Sequence, residues 1–290
     1  MPRSESTRRA DDRKLRMIST GLGRRRLTDL TVADCDRFLE QCACGLDKAS
    51  RPITTADQLR RLRATLSAVV RNEIRMGAMS RNVAELAVLP ALDGQSCGRR
   101  SLTRDELARL LDLASGATLI LIDLSGRNAL RPAEARAVQW RNVDLDAGLL
   151  RVTNQMDANG ALAEVKTKDS ARTIRLDDSS IERLTRWRAR QEETAASALR
   201  WDNADGLVVT TRTGSAIDRN NFVRSLTKLC RQAGIEPITP YELRHTAISH
   251  QADRGRSSWQ IADWAGTSER MISSVYRHQL TQVSDLMPGD

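Results

Sequence analysis

Three short stretches near the end of the chain hold residues whose types and spacing suit phosphate chemistry. They are Thr239-Pro240-Tyr241-Glu242-Leu243-Arg244-His245-Thr246-Ala247, Ala265-Gly266-Thr267-Ser268 and Ser273-Ser274-Val275-Tyr276-Arg277-His278. A tyrosine hydroxyl titrates near ~10, so at neutral pH it attacks phosphorus only beside a general base or a strongly positive surround. Arginine meets that need, because its planar fork binds two phosphate oxygens and keeps its charge when desolvated. The chemistry these residues suit is attack of a phenol on a phosphodiester. The same tyrosine also reads as a packing or solvated ring, and this region alone does not separate the two.

The composition narrows the partner. The chain has 290 residues, room for two cores, and a net charge of +9 from 46 Lys and Arg. That balance favours a polyanionic partner; the plain alternative is a basic soluble protein. Aromatic residues make up only 3% of the chain, which argues against a stacking platform for single strands. No apolar run approaches the ~18 residues of a bilayer helix, and the first residues alternate charge with Ser in place of a signal peptide. Cys35, Cys42, Cys44, Cys97 and Cys230 are odd in number and lack zinc-type spacing, so they read as reduced thiols in a cytosolic protein.

The elements that must position these residues are mostly helical. Residues 1–26 are rich in Arg and Ser and read as a basic flexible arm or a short lead-in. Thr31 caps a helix that Gly45 ends, a longer helix runs from about Thr54 to Met76, and a short one lies in 79–89. The long helix carries Leu59, Leu62, Leu66, Val69, Val70 and Ile74 on one stripe. Its other face carries Arg60, Arg61, Arg63 and Arg71, either a solvated face or one that follows a phosphate backbone. Residues 91–100 lack periodicity and hold Gly94 and Gly98, so the domain boundary is placed there, with a helical domain over 27–90 and a second domain over 101–290.

In the second domain, Thr103 and Glu106 form a capping box, Leu119 to Leu124 is a buried helix, and Pro132 starts a helix with Arg131 at its mouth, where phosphates also bind. Leu149 to Gln155, Leu162 to Lys166 and Arg172 to Leu176 alternate as strands of a small antiparallel sheet, with Lys166 at the turn between the last two. Helices resume over Ile181 to Leu199 and Asp218 to Ala233. The fold class is therefore mainly α with a small antiparallel β-sheet in the C-terminal domain.

In order along the chain, Arg131 with Glu134, Lys166 on a strand turn, Arg244 in Tyr-Glu-Leu-Arg-His, the turn at Ala265-Gly266-Thr267 and Tyr276 resemble the tyrosine recombinase, or phage-type integrase, family. The resemblance covers about Leu27 to His278. It implies a core-type DNA-binding domain followed by the catalytic domain, acting on double-stranded DNA as a site-specific recombinase. Carried over, Arg131 and Arg244 clamp the scissile phosphate, Lys166 protonates the departing 5′ oxygen and Tyr276 forms a 3′-phosphotyrosine. Glu134 braces Arg131, and His245 is a packing residue or an indirect donor. No metal or other cofactor is implied.

The family also implies strand exchange through a four-way junction, with four protomers on two DNA sites in the cytoplasm of a bacterial host. The tail after Tyr276 holds Leu280, Val283, Leu286 and Met287, which either dock on a neighbouring protomer or pack on their own chain. Many relatives carry a further amino-terminal domain; here the expectation is simple sites, or an arm reduced to residues 1–26. Two positions depart from the family pattern. Tyr241 stands where a His three residues before the second Arg is usual, and Thr267 where His or Trp usually follows the Gly. These departures keep two other readings open: a recombinase-fold DNA-binding protein with weakened catalysis, and a topoisomerase of similar chemistry.

Overall fold

The computed structural model describes residues 5–45, 52–92, 100–165 and 170–274. The chain divides into two compact units, Met1–Gly98 and Arg99–Asp290. The first holds α1 (Glu5–Leu22), α2 (Val32–Cys44), α3 (Ala56–Arg75) and the short α4 (Val83–Leu86). Thr31 caps α2 in a reciprocal capping box with Asp34, so two amide donors that the helix leaves open are satisfied. Phe38, Leu39, Leu59, Leu62 and Leu66 form the centre of this core.

The start of the chain differs from the expected flexible arm, because residues 5–22 form α1 and pack on α3. Its apolar residues are few but fall at helical spacing. Ile18 and Leu22 are buried and Met17 packs against the same core, so a narrow stripe suffices once α3 supplies the facing surface. Cys35 and Cys42 are free and buried here, and burial pushes their thiols up to about 11.

The four arginines of α3 named above, Arg60, Arg61, Arg63 and Arg71, separate into two pairs. Arg63 donates to the Ala87 carbonyl (2.8 Å) and Arg71 pairs with Glu85, so both tie α3 to the segment around α4. Arg60 and Arg61 stay exposed and share Asp57 one turn earlier.

The second unit contains α5 (Arg104–Leu113), α6 (Gly116–Gly126), α7 (Pro132–Arg136), five short strands, α8 (Asp178–Ser197), α9 (Arg219–Gln232), α10 (Pro240–Ala252) and α11 (Ser258–Ala265). Helix α6 is apolar nearly all round and lies at the centre, packed against α5, α7, α8, α9 and α10. Among the described residues, no helix is long and apolar enough to cross a membrane.

The strands are β1 (Val143–Asp144), β2 (Leu149–Val152), β3 (Asn154–Met156), β4 (Leu162–Glu164) and β5 (Arg172–Arg175), all antiparallel. The expected single sheet is divided: β1-β2-β5 form one sheet and β3-β4 a separate hairpin. The switch falls at Thr153. Its carbonyl accepts from Val165 N (3.1 Å), so pairing passes from β5 to β4 within one extended run. The last two strands therefore do not pair with each other.

Asp177 starts α8 by accepting from Ser180 N (2.8 Å), and it also takes Ser179 Oγ and Arg127. Burial raises its carboxyl, but these partners outweigh that effect and bring it from 3.8 to about 2. The folded value lies below the unfolded one, so this stabilisation is present above pH 3.8 and is lost as pH falls through about 2. In Asp177→Asn the denaturation midpoint should lie below wild type at about pH 5 and meet it at about pH 2. A gap that persists unchanged at the acid end would show that the carboxylate charge is not the cause.

Candidate active site

The site is built where α7, α10, β5 and the end of α11 meet. Pro132 occupies the first turn of α7, where its missing N–H costs nothing, and Arg131 is the capping residue before it. Glu134, three residues on and 2% exposed, turns back to Arg131: it accepts from the backbone N at 2.9 Å and from Nη1 at 2.6 Å. A buried carboxylate is tolerated only when it is paired. Here it is paired more than once, with Arg172 Nη2 at 3.1 Å and Arg244 Nη1 at 4.0 Å. Burial raises the Glu134 carboxyl, yet Arg172 and Arg131 outweigh burial and hold it below its ordinary value.

Helix α11 ends in a Schellman turn. Gly266 is left-handed (φ 64°), its N–H bonds to Asp263 O, and Thr267 N–H bonds to Ala262 O. The next three carbonyls are taken one by one by arginine. Trp264 O accepts from Arg172 Nε (2.9 Å), Ala265 O from Arg244 Nη2 (2.8 Å) and Gly266 O from Arg131 Nη2. A helix C-terminus is the negative end of its dipole, so it suits cations. Arg244 Nη1 also reaches Ala129 O. Ala129 is buried at φ 52°, the positive-φ non-glycine residue of the described chain, and that backbone geometry turns its carbonyl toward α10.

Three guanidinium groups against one carboxylate leave two positive charges in excess. That excess matches an anion entering from the Arg131 side. Arg131 is the most open of the three at 29%, against 9% for Arg244 and 6% for Arg172. Such a site can bind a phosphodiester and offset the charge that builds on its oxygens during displacement.

Of the residues singled out in the sequence, Arg131, Glu134 and Arg244 come together, and Thr267 directly follows the carbonyl that receives Arg131. Thr267 and His245 are half-buried, and Tyr241 is exposed on the first turn of α10, one turn before Arg244. Lys166 and Tyr276, together with the tail after it, lie outside the described residues. Sequence reasoning passed over Arg172. A signal existed, because Arg172 and Ile174 share one face of β5 and Ile174 is fully buried.

A central apolar helix, a small antiparallel sheet and arginines gathered around a buried glutamate make a cationic site of a kind that suits a phosphodiester. Residues 100–282 match the model of the phage integrase family. An integrase of Streptomyces ambofaciens is 29% identical over 285 residues, covering 92% of this chain and 69% of its own length. The tyrosine recombinase XerD of Neisseria meningitidis serogroup B is 25% identical over 285 residues, covering 91% and 92%. The chain spans about half the length of the XerC relatives it matches.

Among solved structures, the fold is similar to the Tn1549 transposon integrase in complex with transposon right end DNA, with a TM-score of 0.80, 14% identity, and 99% of this chain and 95% of that one covered. It is also similar to the lambda integrase tetramer bound to a Holliday junction, with a TM-score of 0.65, 16% identity, and 94% and 72% covered. The chain belongs to the phage integrase family and is a site-specific DNA recombinase of the tyrosine type.

Proposed function

We propose that this protein exchanges DNA strands through a 3′-phosphotyrosyl intermediate carried by Tyr276. The phenolic oxygen attacks the scissile phosphorus, the P–O5′ bond breaks, and Lys166 gives a proton to the departing 5′ oxygen. The phenol's own proton leaves to water at the site, with Tyr241 as a relay. Arg131 and Arg244 hold the non-bridging oxygens, Thr267 offers a hydroxyl to the same phosphate, and Glu134 and His245 brace the arginines from behind. Rejoining is the reverse attack by a 5′ hydroxyl on the phosphotyrosine. The bond energy is kept in the intermediate, so no nucleotide cofactor is consumed.

The observation that carries this reading is the convergence of Arg131 and Arg244 on Glu134 at the end of α11. Two surfaces supply the wider contact with double-stranded DNA. Arg60 and Arg61 are exposed on α3, and α9 carries Arg224, Lys228 and Arg231 along one outer face with Asn220 and Asn221 at its start. Cations spaced along a helix suit a phosphate backbone, and amide side chains suit base edges. We read residues 27–90 as the core-type DNA-binding domain and 101–290 as the catalytic domain. Four protomers act on two sites of a mobile element through a four-way junction; the similarity of the fold to a lambda integrase tetramer bound to a Holliday junction supports this reading.

The test uses a nicked suicide duplex built on the sequence this protein selects from a random DNA pool. Wild type should leave a denaturant-resistant protein–DNA adduct, and Tyr276→Phe should leave none. Selective binding by wild type without any adduct would defeat the proposal and favour the DNA-binding reading that Tyr241 and Thr267 raise. An adduct that survives in Tyr276→Phe would place the nucleophile elsewhere.

A further inference from the structure

Arg172 has no part in the chemistry described above, yet it is the most deeply enclosed of the three arginines, with its side chain 6% exposed. Each of its guanidinium nitrogens is engaged. Nη2 bonds Glu134 Oε2 (3.1 Å), Nε bonds Trp264 O (2.9 Å) and Nη1 bonds Ser170 O (3.0 Å). It therefore joins three segments: the glutamate of α7, the last turn of α11 and the start of β5. The end of α11 is shaped to receive it. A Cβ on Gly266 would lie 2.7 Å from Arg172 Nη1 and 3.0 Å from its Cδ, so the guanidinium packs directly against the left-handed cap.

We infer that Arg172 is a positioning residue for strand cleavage: it anchors Glu134 and the Trp264–Gly266 turn so that Arg131 and Arg244 are set before DNA arrives. The chemistry of its surroundings explains why an arginine is needed. Arg131 and Arg244 must give up part of their charge to a phosphate when substrate binds, and Glu134, 2% exposed, cannot then be left without a full partner. Arg172 can keep that partnership, because its side chain is enclosed and its other two nitrogens are held by backbone carbonyls. It also fixes the carbonyl of Trp264, and the next two carbonyls in the chain are those that hold Arg244 and Arg131. Lysine carries the charge but cannot reach three acceptors on three segments with one planar fork.

Among the described residues, the charged groups paired with Glu134 are Arg131, Arg172 and Arg244. Strand β3, which also packs on α7, brings only Asn154, Gln155 and Met156, and the one ionisable residue of α6, Asp123, is paired with Arg183. Removing Arg172 thus acts on the site through Glu134 and the α11 turn.

This inference rests on the cleavage reaction proposed above, and the experiment separates the two. Adduct formation by wild type, dependent on Tyr276, tests the reaction itself. The inference is tested by single-turnover cleavage of the same suicide duplex at saturating protein with Arg172→Met, Arg172→Lys, Glu134→Gln and the double variant Glu134→Gln with Arg172→Met. Arg172→Met should lower the cleavage rate by roughly 10- to 100-fold while the DNA dissociation constant stays within about threefold of wild type. In the Glu134→Gln background the same substitution should cost clearly less than in wild type, because the carboxylate it serves is gone and only its hold on the Trp264 carbonyl remains to be lost. Arg172→Lys should fall between wild type and Arg172→Met, and it carries the measurement if the methionine variant does not fold. Wild-type cleavage by Arg172→Met would overturn the inference. So would losses that multiply in the double variant, or a fall in DNA affinity equal to the fall in rate.

Discussion

Arg244→Lys should lower the single-turnover rate of covalent adduct formation by about 10²- to 10³-fold, the scale set by loss of one charge-stabilising donor from an active site. The size follows from what Arg244 does at once. Its side chain is 9% exposed, bridges Ala129 O on the turn before α7 and Ala265 O at the end of α11, and faces Glu134 at 4.0 Å. A lysine ammonium keeps the charge but is a point donor on a flexible stem, so it can serve one of those carbonyls and not hold a phosphate in the same plane.

The carbonyl left without a partner also weakens the fold, by roughly 1–3 kcal/mol for a buried polar group. DNA affinity should fall much less than rate, since the wider contact proposed above is spread over α3 and α9, and it should keep a steep dependence on salt. Adduct yield over time on the suicide duplex, beside binding measured at two salt concentrations, checks both parts. A lysine variant that cleaves within about threefold of wild type would remove Arg244 from the role assigned to it.

Much of this site could be read before any coordinates. Arg131, Glu134 and Arg244 are legible because each sits at a position that local chemistry marks: Pro132 opens α7, Glu134 is three residues after its capping residue, and Thr239 with Glu242 frames the start of α10. Capping boxes are short-range, so sequence spacing carries them. The period-two alternation of β5 puts Arg172 on the face of Ile174, but its part in the site is not legible from that, because Glu134 and Trp264 lie far away in sequence, on α7 and α11.

The same holds for the carbonyls at the end of α11, whose value depends on a Schellman turn using two acceptors and leaving three. Helix α1 is not legible for the opposite reason: its composition is that of a charged arm, and its few buried residues, Ile18 and Leu22, join a core supplied mainly by later helices. The sheet was expected as one piece because period-two alternation reports strands and not partners, and the switch at Thr153 is set by one carbonyl.

Glu134→Ala should be among the most damaging substitutions for folding, costing roughly 3–5 kcal/mol, the range for removing one partner of a buried ion pair. Three guanidinium groups would then face one another around a hole with no counter-charge, two of them nearly enclosed. At this domain size each kcal/mol moves the thermal midpoint by about 2–4 °C, so the drop is readily measured. Glu134→Gln keeps an acceptor for Arg131 N and should cost less, which separates charge from hydrogen bonding.

The pH dependence has a definite sign. Glu134 titrates below 4.5 in the folded protein, so its contribution is complete above that value and is lost as pH falls below it toward the lowered folded value. Glu134→Gln lacks that component, so the stability gap between it and wild type should narrow as the medium is acidified from about pH 6 to about pH 3. A gap that widens on acidification would mean that the carboxylate is held neutral among the arginines. The excess positive charge on which phosphate capture depends would then be larger than two, and Arg172 would have no charge to anchor.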